Sequence, residues 1–203
     1  MFPVVASHLG FSLLSHAHVG IILGTEMTHP VRNAVMLQFD VLEYAEVEVP
    51  PVLAAQIPGV CGPDPAVISR AIRTAFDELM SFVRQYKLSP SGPPRTLYTA
   101  HGPQGVRFTV AVPVAAPPTT TRMIGPGSVK RLAHAKAMRF THRGPYPELA
   151  KTYGQITEFL KTKGLMTTDA DWSRYMPMWE EYLNDPQTTP PEELRTYIYL
   201  PTK

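Results

Sequence analysis

The sequence predicts an α+β fold made of two tandem β-α-β-β units related by a pseudo-twofold axis, with an antiparallel sheet and two main helices flanking a central groove. Three observations predict it. Two amphipathic helical segments lie one in each half of the chain. Short alternating segments precede each of them in the same order. Each half closes on the same kind of strand, 107–113 (Arg-Phe-Thr-Val-Ala-Val-Pro) and 195–201 (Arg-Thr-Tyr-Ile-Tyr-Leu-Pro).

Taken in order, residues 1–25 carry no Lys, Arg, Asp or Glu, yet His16, His18 and several glycines interrupt their apolar runs. A signal peptide needs a basic n-region, absent here, and a membrane span needs about 20 predominantly apolar residues. The expectation is a poorly ordered leader over 1–38, with Met27 and Met36 as alternative starts. His8, His16, His18 and His29 are weak metal candidates, since no carboxylate joins His16-Ala17-His18 before Glu26, and no metal site is expected.

Segments 43–49 and 52–57 alternate apolar and polar residues, which predicts strands separated by Pro50-Pro51. Residues 65–86 place Ile68, Ile72, Phe76, Leu79, Phe82 and Val83 three and four apart, the period of a helix buried on one face. Asp64 is its expected N-cap and Pro65 its first residue. Cys61, in Pro58-Gly59-Val60-Cys61-Gly62-Pro63, falls in a turn-like stretch before this helix and is read as a half-buried structural residue rather than an activated thiol. Strands follow at 96–100 and 107–113, then a linker over 114–127 rich in Pro, Thr and Gly.

The second half reads alike: strands at 128–133 and 137–142, a helix over 146–163 with Gly164 as its C′ residue, and strands at 178–183 and 195–201. Sliding the sequence on itself by 77 positions lays Phe76 on Tyr153, Leu79 on Ile156, Phe82 on Phe159 and Val83 on Leu160. The domain is thus expected over 39–203, as repeats at 39–113 and 128–203. Pairing the halves about an axis covers their exposed flanks and leaves a groove between the helices.

Composition narrows the function. The hydrophobic fraction is 44%, charged residues are 18% and the formal net charge is +2. This balance carries no basic stripe for direct nucleic-acid binding and no membrane anchor. The single cysteine excludes an internal disulfide and suits a reducing, cytoplasmic setting. No cofactor or metal is expected, and the expected state is a monomer or weak dimer. Proline, at 22 residues, gathers in the connections and sets firm element boundaries.

Three runs in the second half carry a family resemblance: Phe140-Thr141-His142-Arg143-Gly144-Pro145-Tyr146, Trp179-Glu180-Glu181-Tyr182-Leu183-Asn184-Asp185-Pro186, and Thr189-Pro190-Pro191-Glu192-Glu193-Leu194-Arg195. In that order they resemble the GyrI-like small-molecule-binding family, which includes effector-binding domains of AraC- and MerR-type multidrug regulators. The resemblance covers about 39–203 and implies an SHS2-like duplicated fold with a hydrophobic groove. It implies that Glu180 meets cationic, aromatic ligands there, beside Tyr182 and the Gly144-Pro145-Tyr146 turn. Alternation along the strand agrees: Met178, Glu180 and Tyr182 share one face and Trp179, Glu181 and Leu183 the other. Geometry alone leaves open which glutamate faces the groove. A carboxylate flanked by Met and Tyr resists ionisation until a cation arrives.

Further candidate groove residues are Tyr98, on the strand equivalent to that of Glu180, and Trp172, whose loop can close over a pocket. Tyr146 opens the helix beside them. Tyr153 and Phe76 are read as core. Arg139, Arg143 and Arg195 are read as surface or ion-pair residues.

Three activities follow. The first is binding or sequestering of a small hydrophobic or cationic ligand, as a stand-alone sensor module, since no helix-turn-helix pattern precedes residue 39. The second, implied by the resemblance, is hydrolysis of strained cyclopropane-type genotoxins with Glu180 as base and Tyr182 and Trp172 positioning. The third is inhibition of a protein partner such as DNA gyrase. A haem-binding relative of similar fold makes His134 and His142 candidate ligands.

Overall fold

The computed structural model describes residues 42–115, 125–133 and 135–202. The leader, most of the linker and His134 lie outside these residues. Eight strands and two α-helices follow in the order β1 (Glu43–Val49), β2 (Val52–Cys61), α1 (Pro65–Gln85), β3 (Arg95–Gly102), β4 (Gly105–Pro113), β5 (Ser128–Leu132), β6 (Ala135–Arg143), α2 (Leu149–Thr162), β7 (Met178–Tyr182) and β8 (Arg195–Thr202). Short 3₁₀ turns at Tyr146–Glu148, Asp169–Tyr175 and Pro191–Glu193 join the later elements. The fold is α+β, as the alternation and the two helical periods predict.

The strands form one antiparallel sheet in the order β1-β6-β8-β7-β3-β4-β2-β5. Read from the other end, the order is unchanged on exchanging β1 with β5, β2 with β6, β3 with β7 and β4 with β8. β3 and β7 meet at its centre. The outer strands are exchanged between halves: β1 pairs with β6, and β5 pairs with β2. These two pairings share a single register. Val49 faces Ala135 and, three residues along each strand, Val52 faces Leu132. Thus β1 and the first half of β2, 43–49 and 52–56, pair along one register with 135–141 and 128–132, the ladder being interrupted at Pro50-Pro51. Proline lacks the N–H that a ladder needs, which explains the break.

β2 runs to Cys61, beyond the expected end at 57. Pro58 is tolerated because β5 pairs only with 52–56, leaving β2 with β4 as its one neighbour from there on. Gly59 lies across Phe108, whose ring leaves no room for a Cβ there. Cys61 is therefore a strand residue rather than a turn residue, and partial burial pushes its thiol up, away from activation.

α1 begins as its sequence predicts. Asp64 accepts from the backbone N–H groups of Ala66 and Val67 at 2.9 and 3.1 Å. Asp64→Ala should lower stability by about 1 kcal/mol, read as a shift in urea midpoint at constant slope. The second helical segment opens as a 3₁₀ turn at Tyr146–Glu148 and becomes α-helical only at Leu149. Gly164 follows α2 at φ +67°, and the Leu165 N–H donates to the Leu160 carbonyl at 2.8 Å, closing the helix as expected.

One core lies under both helices. Ile68, Ile72, Phe76 and Leu79 of α1 and Leu149, Tyr153, Ile156 and Leu160 of α2 join Phe108, Val110, Phe140 and Ile198 of the sheet. A smaller cluster, Ala137, Trp179 and Tyr199, covers the opposite face.

Candidate functional site

The centre of the sheet decides the site. On β7, successive side chains point to opposite faces, so Met178, Glu180 and Tyr182 enter the core beneath the helices while Trp179 and Glu181 enter the other side. Both glutamates are buried, Glu180 at 2% and Glu181 at 6% exposure, but their surroundings differ in kind.

Glu181 lies opposite Arg95 of β3, whose Nε approaches its Oε1 at 2.7 Å as an ion pair without the direction of a good hydrogen bond. The Tyr199 hydroxyl donates to its other oxygen at 2.9 Å. It is a structural carboxylate with its countercharge in place.

Glu180 meets three phenols instead. Tyr153 donates to Oε1 at 2.6 Å, while Tyr182 and Tyr98 donate to Oε2 at 2.7 and 3.2 Å. Tyr182 has one proton to give, so the Thr96 hydroxyl, 3.0 Å from its oxygen, is left to act as donor to it. Among the described residues no cationic side chain forms an ion pair with Glu180. Burial raises its carboxyl above the ordinary value of 4.5, against the opposing pull of Tyr153, Tyr182 and Tyr98. Burial, then the charge of Glu180, raises the three phenols well above their usual range, so they remain neutral donors.

Around this cage, Tyr146 and Phe76 set their rings edge-on to Tyr182 at 5.5 and 6.0 Å, and Trp172 does the same to Tyr153 at 6.0 Å. Met178 lies opposite Tyr98 across the β3–β7 pair. The structure thus brings together Tyr98, Tyr146, Met178, Trp172, Glu180 and Tyr182. It also corrects one reading: Tyr153 is not merely core, because its hydroxyl makes the shortest bond to Glu180. Phe76, its counterpart on α1, is core as read.

A cleft lies on the far side of Trp172. A cavity of about 600 Å³ lies between β3 and the Asp169–Tyr175 turn, lined by Thr99, His101, Asp169, Trp172, Ser173 and Met176 among others. β3 shifts register between Tyr98 and Ala100, so the strand that presents Tyr98 to Glu180 then presents residues to the cleft. Trp172 touches both spaces: one edge lines the cleft, and its ring meets Tyr153, which holds Glu180.

His142 is only 2% exposed, with Nδ1 2.7 Å from the Thr152 hydroxyl and Nε2 3.3 Å from the Pro145 carbonyl. Both ring nitrogens are engaged, and burial lowers its pKa, so it serves as a neutral strut between β6 and α2 rather than an iron ligand. Arg143 pairs with Glu43 at 2.7 Å, and Arg139 stacks over Tyr197 at 4.3 Å. No helix among the described residues is long and apolar enough to cross a membrane.

The model of the GyrI-like small molecule binding domain matches residues 42–203. Comparison with curated proteins found no match. Among solved structures, the crystal structure of the EcmrR C-terminal domain superposes with TM-score 0.58 at 15% identity, over 80% of this chain and 98% of that one. EcmrR in a cryo-EM complex with DNA gives 0.61 at 17%, over 81% of this chain and 59% of that one. SAV2435 bound to tetraphenylphosphonium gives 0.50 at 16%, over 79% and 94%.

Proposed function

The chain belongs to the family of GyrI-like small molecule binding domains, and from that premise we propose that it receives a lipophilic organic cation against Glu180. The observation that carries this reading is a buried carboxylate solvated by three phenol hydroxyls, with no cationic partner among the described residues. An unpaired charge in a low-dielectric interior is unfavourable, and a cation that replaces the missing partner recovers that energy. The aromatic rings of Tyr98, Tyr146, Tyr153, Trp172 and Tyr182 supply apolar area and cation–π attraction to the same guest. The tetraphenylphosphonium held by SAV2435 is a ligand of this class. Entry is through the cleft beside β3, with the Trp172 side chain turning aside to join it to the cage.

The test is a calorimetric titration with tetraphenylphosphonium and with neutral triphenylphosphine oxide. The cation should bind at least about tenfold more tightly, since one uncompensated buried charge is worth more than 1.4 kcal/mol. Equal affinities would overturn the assignment.

The raised carboxyl gives a second expected result. The cation favours the ionised form, so affinity should rise as pH rises through the carboxyl's folded pKa, above 4.5, and level off beyond it. Binding below that point should release protons, seen as a dependence of the measured heat on buffer ionisation. A flat profile between pH 4.5 and 8 would contradict the role of Glu180.

The same raised pKa suits a general base, which favours the hydrolase as the second reading, with Tyr182 and Trp172 positioning the substrate. Consumption of a cyclopropane-bearing electrophile that disappears in Glu180→Gln would replace binding by catalysis as the function.

A further inference from the structure

A second cleft, of about 550 Å³, opens where the C-terminal end of α2 and the Asp169–Tyr175 turn pass over β1, β6 and β8. We propose that it is a separate binding site for an amphipathic organic anion, a carboxylate on an aliphatic or aromatic body. This does not rest on the reading of Glu180.

The shape and lining argue for an organic body. Its volume lies in the range of small-molecule sites. Tyr44 and Phe159 stand 4.8 Å apart in its wall, with Met138, Leu165 and Tyr175 completing the apolar surface. Among the described residues four large hydrophobic side chains are exposed, and two of them, Tyr44 at 40% and Leu165 at 45%, line this cleft. Exposed apolar groups gathered in a concavity are the mark of a covered surface.

The charges argue for an anion. Lys163 and Arg174 line the cleft, against Glu46 alone. The Lys163 ammonium lies 5.9 Å from the Phe159 ring centre, at the aromatic wall. No ion pair joins it to a carboxylate among the described residues, whereas its neighbour Lys161 reaches both Glu158 at 3.8 Å and Asp169 at 3.6 Å. Arg174 gives one nitrogen to Asp171 at 3.0 Å and keeps further donors on its planar fork. Glu46 accepts the Tyr44 hydroxyl at 2.7 Å, which draws its charge toward the strand. A carboxylate at the Lys163 and Arg174 end, with its body along Tyr44 and Phe159, satisfies both halves of the lining. This preference is opposite in sign to that of the Glu180 cage.

The test is titration of the full chain with octanoate and with octyltrimethylammonium at pH 8. Octanoate should bind, and any binding of the cation should be indifferent to Lys163→Ala. Lys163→Ala should weaken octanoate about tenfold or more, the loss of one charge-assisted contact. Glu46→Gln should tighten it, and Glu180→Gln should leave it unchanged. Three results would overturn the proposal: octanoate affinity indifferent to Lys163→Ala, octanoate binding lost in Glu180→Gln, or no octanoate binding together with a dimer in sedimentation that Tyr44→Ser dissociates. Lys163 and Glu46 are surface residues, so folding of both variants is checked directly by unchanged thermal midpoints.

Discussion

Glu180→Gln should lower the affinity for tetraphenylphosphonium by roughly ten- to a hundredfold, about 1.4 to 2.7 kcal/mol, and leave the protein as stable as before or more so. The affinity falls because the amide keeps the shape but loses the charge, while the aromatic walls remain. The stability argument follows from the direction of the carboxyl's shift. Its folded pKa lies above 4.5, so folding favours the protonated form. That contribution is complete below the unfolded value and is lost as pH rises through the folded one. Above that folded value the native protein holds a charge that the fold disfavours, and glutamine relieves it. The variant's thermal midpoint should equal or exceed the wild type's at pH 8, with the gap narrowing in acid. A large drop in midpoint would make Glu180 a structural keystone and remove the argument for a ligand.

The adjacent glutamate should behave in the opposite way. Glu181→Ala strands the Arg95 guanidinium in a site where the two side chains retain only 11% and 8% exposure. Breaking a buried pair on one side costs about 3–5 kcal/mol, and the residual exposure places this one at about 3. The Tyr199 hydroxyl loses its acceptor at the same time. Denaturant unfolding should show this loss with ligand affinity unchanged. The double variant Arg95→Met/Glu181→Leu should recover most of it, because both charges leave together and the faces of Trp179 and Tyr199, stacked at 4.6 Å, are apolar. If the double variant is no better than the single one, the ion pair is not the source of the cost.

This contrast indicates what was legible in the chain. Period-two alternation separates Glu180 from Glu181 onto opposite faces, but does not say which face holds the ligand. Burial does not decide it either, since both are buried. What distinguishes them is their partners, an arginine on one side and three tyrosines on the other, of which only Tyr182 is near in sequence while Arg95 and Tyr98 arrive from β3 and Tyr153 from α2. Those are non-local contacts, and only the family resemblance selected Glu180 in advance. Tyr153 was missed because its helical spacing places it among core residues. The available signal was its hydroxyl: where the other helix has Phe76, a buried tyrosine must find an acceptor. Asp64, the extent of α1 and the closing strands were legible because each depends on neighbours in sequence. The true length of β2 was not, since Pro58 ends a strand unless the edge beside it is vacant. Trp172 was legible as a pocket residue, but the cleft's place against β3 was not, because it depends on how the turn after α2 settles there.

The exchange of β1 and β5 between the two halves has a consequence for how the molecule comes apart. Each half of the chain lends its first strand to the other's sheet, as in a domain-swapped dimer carried on one polypeptide. Neither half can therefore lose its structure alone without stripping a border strand from the other, and the two are bound into one cooperative unit. A cut in the connection between β4 and β5 would leave every strand pairing in place, so the fragments would remain associated by complementation, with the carboxylate between β3 and β7 still enclosed.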